Sequence, residues 1–247
     1  MPGLTYSTYK TQIAEMAVVA EDDPNFLAIL PMMIDYASLR ICRDLDLMFT
    51  SVSLHGAAYQ LVTGNRNLSF PIDLGDGTSF VVSEQINLIL NATEANNPDT
   101  GTRVPLMPTT KEFLDAVYGS SVSGNRGQPK YFVPFNETLF FVGPVPDTNY
   151  AVEVVGTIRP APLSATVPTT FISQYLPDLL VMASMIYISA YQRNFGKESD
   201  DPQMAMSYET QYQLLLKSAT VEEARKKFDA AAWSSQSPAT VASPTRG

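Results

Sequence analysis

Apolar residues recur at helical spacing at both ends of the chain and alternate in its middle. Residues 5–19 predict a helix, with Thr5 or Ser7 available to cap it. The next helical stretch starts more sharply. Asp23 offers an oxygen to free N–H groups, and Pro24 stands at the first helical position, where a missing donor costs nothing. Leu27, Leu30, Ile34, Ala37, Ile41 and Leu45 follow in steps of three and four, turning one face toward a core. Pro31 lies inside that run and predicts a kink or a short first turn split off from the rest.

From about 48 to 160 the period changes. Ser51–Leu54 and Tyr59–Val62 alternate, while Phe80–Val82, Tyr131–Val133, Leu139–Val142 and Val152–Val155 are rich in β-branched or aromatic residues. Turn-forming clusters separate them at Gly64–Asn67, Gly75–Gly77, Asn96–Asp99 and Gly143–Pro146. These are strand and turn signals. Lys111–Tyr118 predicts one short helix within the block.

Helical spacing returns at about 173 with Leu176, Leu179, Ala183, Ile186 and Ala190. Asp201-Pro202 repeats the device of Asp23-Pro24, and Met204, Tyr208, Tyr212, Leu215 and Ala219 follow, with helix expected to about Ala230. No sequence repeat or heptad run stands out. Neither helical end can bury its apolar stripe alone, so the two are expected to pack together. The expected architecture is α+β, with a discontinuous helical bundle from 1–47 and 171–232. An antiparallel β domain, 48–170, is inserted into it, its first and last strands leaving the bundle together. An extended C-terminal arm, 233–247, completes the chain. Beyond Trp233 the sequence has two prolines and few large apolar groups, which predicts no fold of its own. It reads either as a tail without a role or as an arm that orders on a partner.

Composition narrows the function classes. The 247 residues, 45% of them hydrophobic and 17% charged, suit one large or two small domains that need no disulfide or metal for a core. The net charge of −9 argues against gripping nucleic acid, which needs a basic stripe. The densest basic run, Arg225-Lys226-Lys227, is offset by Glu222 and Glu223. The single cysteine, Cys42, allows no intrachain disulfide and suits a reducing compartment. The opening residues lack a basic and then apolar leader, so no signal peptide is expected. The apolar stretch Leu179–Tyr191 falls short of the ~20 residues that span a bilayer, and no membrane partner is expected.

Candidate chemistry is sparse, and neither an enzyme nor a cofactor or metal site is expected. His55 is the sole histidine, so a histidine-rich metal site is ruled out within one chain. A nucleophilic dyad would need Cys42 and His55 to meet, whereas one falls on a predicted helix and the other at a strand end. Ser7–Lys10 has the Ser-x-x-Lys spacing without its companion motifs. Asp73–Gly77 hints at a calcium loop, but Gly75 and Gly77 stand where oxygen ligands belong, and a hairpin is the expected reading. The acidic clusters Glu21–Asp23 and Glu198–Asp201 fall at helix starts, where they suit the helix dipole. Met32, Met33, Tyr36, Met204, Met206, Tyr208 and Tyr212 fit either a broad internal core or a protein interface.

The chain resembles the head-to-tail adaptor, or neck, proteins of tailed bacteriophages, short-tailed ones especially. The resemblance runs through Gly3–Tyr6, Asp23–Phe26, Val154–Pro160, Pro162–Ala165, Pro168–Phe171 and Tyr175–Leu180. It implies a structural subunit in the virion neck, assembled in the host cytoplasm. It further implies a homo-oligomeric ring, a dodecamer, that docks beneath the portal protein, receives a tail nozzle or tail tube, and passes genomic DNA without holding it. The C-terminal arm of such proteins reaches the portal. Here that role would fall to Trp233, Pro238, Val241, Pro244 and Arg246, with Trp233 as the apolar anchor. The rival readings are a tail-tube subunit, a head decoration protein and a virion-borne hydrolase. The long helical ends argue against the first. The lone histidine argues against a zinc hydrolase.

Overall fold

The computed structural model describes residues 3–75, 77–92, 97–193 and 202–231, with no description of the side chains of 190–205 and 229–231. It is a mixed α+β protein that divides into two compact units, 1–49 with 162–247 and 50–161.

The first unit is helical. Helix α1 (Tyr6–Ala17) starts at Thr5, whose hydroxyl accepts from the Thr8 amide while the Thr8 hydroxyl accepts from the Thr5 amide. Helix α2 (Pro24–Asp44) starts at Asp23, whose carboxylate accepts from the amides of Asn25 and Phe26 at 2.8 and 3.0 Å. It continues through Pro31 as one helix, so of the two expected outcomes the split-off first turn does not occur. Pro31 is exposed, so the carbonyl of Leu27 that it leaves without a donor can face water. By length and hydropathy alone α2 could cross a membrane, yet its face from Phe26 through Leu30, Ile34 and Ala37 to Ile41 lies in the core.

After the β unit the chain forms α4 (Phe171–Tyr175), α5 (Pro177–Arg193) and α6 (Pro202–Ala231), while α3 (Lys111–Tyr118) lies in the other unit. Helix α5 is the hub, in contact with α1, α2, α4 and α6. Its Ser184 accepts a 2.6 Å hydrogen bond from the buried Tyr9 hydroxyl and donates its own proton to the Leu180 carbonyl. The loss of solvent raises the Tyr9 pKa, so this phenol stays neutral. Arg40 of α2 bonds Glu209 of α6 at 2.6 Å and lies over the Tyr212 ring, whose hydroxyl donates to Asp44.

The second unit is built on two long antiparallel strands, β5 (Thr78–Leu90) and β10 (Tyr150–Arg159). One edge of β10 is shared by β1 (Ser51–Leu54) and β2 (Gln60–Leu61), and one edge of β5 by β4 (Asp73–Gly75) and β6 (Thr102–Pro105). Short flanking strands of this kind leave little free edge for unwanted pairing. A second sheet joins β3 (Asn67–Ser69), β9 (Leu139–Gly143), β8 (Tyr131–Pro134) and β7 (Met107–Pro108), the last pair parallel. Leu68, Phe132, Phe140 and Val142 of this sheet share one core with Ile86, Leu88, Val152 and Val154 of the other. Helix α3 (Lys111–Tyr118) is capped by Thr110 and packs on β9. At Gly156 a side chain would run into the Val82 carbonyl, which is why the bulged centre of β10 carries none.

The first and last strands of this unit, β1 and β10, are direct antiparallel neighbours, with Ser51 opposite Thr157 and Leu54 opposite Val154.

Candidate interaction surfaces

Within the β unit the most perturbed carboxylate is Glu153, on the sheet face of β10 opposite the core. It is 5% exposed. Burial alone would raise its pKa, but donors surround it and outweigh that effect. Ser53 donates at 2.7 Å, Asn87 at 2.9 Å, and Arg103 from two nitrogens at 2.8 and 3.2 Å. The result is a pKa of about 2. Arg103 is held in turn by Asp99, and Asn87 by Gln85. A carboxylate whose oxygens are all engaged by protein donors is built to stay ionised, and it has no acceptor site left for a substrate proton.

Two open hollows mark the same unit. One, about 400 Å³, is bordered by Gln60, Leu90, Asn149 and Tyr150. The other, about 390 Å³, is bordered by Arg66, Asp115, Tyr118 and Ser121. In the second the charges satisfy each other: Lys111 and Arg66 both bond Asp115, and the Lys111 bond is the larger cause of its lowered pKa. The Arg66 guanidinium also lies over the Phe141 ring.

None of the sequence candidates for chemistry lines either hollow. Cys42 sits half-buried on α2 in the helical unit, and His55 is exposed just after β1 in the β unit. Lys10 of the Ser-x-x-Lys stretch bonds Glu21 at 2.8 Å. Of the suspected calcium loop, Asp73–Gly75 is strand β4, paired antiparallel with the start of β5, and Gly75 and Gly77 have positive φ. Among the described residues no group of three or more histidines, cysteines, aspartates or glutamates could hold a metal ion. Of the predicted arm residues, Trp233, Pro238, Val241, Pro244 and Arg246 all lie outside the described residues.

What the surface offers instead is apolar area. The predicted methionine and tyrosine set divides: Met33 and Tyr212 are core, whereas Met32, Tyr36 and Met206 are exposed. In the helical unit Phe49 stacks on Phe171 at 4.6 Å and Tyr175 lies tilted against Phe171 at 4.8 Å, with the outer rings open to solvent. Leu214, Val221 and Phe228 are exposed along α6. In the β unit Val62, Met107, Val122 and Phe135 are exposed as well. Apolar residues exposed singly are ordinary on a protein surface; the adjoining rings of Phe49, Phe171 and Tyr175 and the row along α6 are the contiguous ones, and contiguity is what marks a contact surface.

A family model described as SU10 adaptor protein matches residues 4–242. The chain belongs to that family. It is therefore a bacteriophage adaptor, a structural protein of the head-to-tail connector. The comparison with curated proteins found no match. In this adaptor the Glu153 cluster is satisfied within the β unit, while apolar residues of both units stay exposed. In the sequence the exposed members are signalled only as part of the methionine and tyrosine set that fits either a core or an interface. Exposure had to separate Met32 from Met33.

Proposed function

We propose that this adaptor assembles into a ring, a dodecamer, beneath the portal of a short-tailed phage, receives the tail nozzle or tail tube on its far side, and lets the genome pass. The family match across residues 4–242 carries this reading. The exposed apolar residues of each unit supply area for contact with neighbouring copies, as a ring needs. The arm 233–247 is the portal-binding element in this reading, with Trp233 anchoring and Pro238, Val241, Pro244 and Arg246 along its length. Its sequence, with two prolines and small residues, suits extended docking.

The test is light scattering behind size exclusion, on the chain alone and mixed with the portal of the same phage. A joint species heavier than the portal, of a mass that fits twelve added subunits, is the expected result. Removal of residues 234–247 should abolish or strongly weaken it. A chain that ignores the portal altogether, or a truncated chain that binds it unchanged, would refute the ring reading or the arm reading respectively.

A further inference from the structure

Helix α6 has two apolar faces. One is the core face, where Tyr212 and Ala219 are buried and Tyr208, Leu215 and Leu216 pack beside them. At 3.6 residues per turn the opposite face carries Leu214, Lys217, Val221, Ala224 and Phe228, in steps of three and four. All five are exposed, Leu214, Val221 and Phe228 at 60%, 52% and 66%. A helix apolar on both sides is one that is covered on both sides.

Helix α2 repeats the arrangement. Opposite its core face of Leu30, Ile34, Ala37 and Ile41 run Ala28, Met32, Asp35 and Leu39, the first three exposed and Leu39 half-buried. The two outer stripes match in spacing and oppose in charge. Met32–Asp35–Leu39 and Leu214–Lys217–Val221 have the same three-then-four pattern, with an acid in the middle of one and a base in the middle of the other. Neither Asp35 nor Lys217 has an ion-pair partner among the described residues.

We infer that the outer stripe of α2 on one copy of the chain packs against the outer stripe of α6 on the next, with Asp35 paired to Lys217 across the contact. The occupant of each stripe is thus a second copy. The charges decide between the possible pairings. A contact of α6 with its own counterpart would set Lys217 against Lys217, and a contact of α2 with itself would set Asp35 against Asp35. Only the unlike pairing neutralises both. A lone charge within an apolar helix seam also fixes register, because a slip by one turn strands it against apolar neighbours. Unlike stripes on one subunit make a head-to-tail contact, which propagates from copy to copy and closes when the rotation allows. The inference rests on the ring reading above and names the side contact of that ring.

Charge exchange on the full-length chain tests it. Sedimentation over a concentration series, alone and with portal rings of the same phage, reads self-association and copies bound per portal. Asp35→Lys and Lys217→Asp each create a like-charge contact and should weaken association roughly tenfold. The double variant restores an unlike pair, and so does an equimolar mixture of the two single variants, in which copies alternate. Both should return to wild-type association. Unchanged melting temperatures check that the exposed substitutions leave the fold intact. If the wild type assembles and both single variants assemble equally well, or if neither rescue works, this contact is wrong while the ring reading stands. If only Lys217→Asp has an effect, α6 meets some other surface and the pairing is refuted. No assembly of the wild type with or without portal would overturn the contact and the ring together.

Discussion

At the scale of single residues, Glu153 shows how a buried charge is made tolerable. Its carboxylate is taken out of water and then given back an equivalent shell by Ser53, Asn87 and Arg103. Because its folded pKa is about 2 against an ordinary 4.5, the folded state binds a proton here later than the unfolded chain does. The contribution to stability is complete above the ordinary value and drains away as pH falls toward 2, amounting to about 3 kcal/mol. Glu153→Gln should lower stability at pH 7 by about 2–3 kcal/mol, since a neutral amide repels one of the donors it inherits. In urea titrations the gap between variant and wild type should close as pH drops from 5 to 2.5; a gap independent of pH would show that packing, not charge, is lost. Nothing at Glu153 itself hints at this cluster, since Val152–Val155 shows only the β-branched character of a strand. Its partners come from β1, β5 and β6, and nothing local announces which strands will lie side by side.

At the scale of elements, ends were more legible than pairings. Asp23 and Thr5 cap the helices that follow them, because capping is a contact between near neighbours in sequence. Strands β3, β6 and β7 escaped notice for a common reason. Asn67, Pro105 and Pro108 are turn and breaker residues, and they are strand members here only because they sit at the margins of sheets whose other strands hold them. The far half of β5 escaped too, since Asn87 and Ile89 are both buried on its second face and blur the alternation. The corner after α1 carries a local conflict. Val18 lies in the left-handed region at φ 54°, closing the helix with bonds to the Ala14 and Glu15 carbonyls, and 82% of it is exposed. A β-branched residue is strained there and buries little in return. Val18→Gly should therefore raise stability by about 0.5–1 kcal/mol in chemical denaturation. A loss would mean that contacts of the valine outweigh the strain. The second face of α6 was hidden in the same way as β5. Leu214, Val221 and Phe228 are interleaved with Tyr212, Leu215 and Ala219, and the seven-residue spacing emerges only when burial sorts one set from the other.

At the scale of the whole molecule, the acidic balance of −9 bears on DNA. A channel that passes a genome has to release it, and walls of like charge repel phosphates. Rings assembled as proposed are expected to retain duplex DNA no better than a neutral protein at moderate salt, in a filter-binding or gel-shift measurement. Tight, salt-sensitive retention would contradict a conduit role. The α+β class was legible from the switch of period near 48 and its return near 173, because period is a property of each segment taken alone. The two-sheet arrangement of the β unit was not, since it depends on which strands meet at a distance.

The neighbourhood of β1 and β10 has a mechanical consequence. The chain enters the β unit at Thr50 and leaves it at Ala161, at the same end of an antiparallel pair in which Ser51 lies opposite Thr157. A tension that draws these two points apart acts across the hydrogen bonds, not along the strands, and meets them one rung at a time. Such a pair peels like a zipper under modest force, where a sheared pair would resist with every rung at once. Under sudden axial load the first thing to yield in this unit would be the short seam of β1, with the long β5–β10 pair left intact behind it.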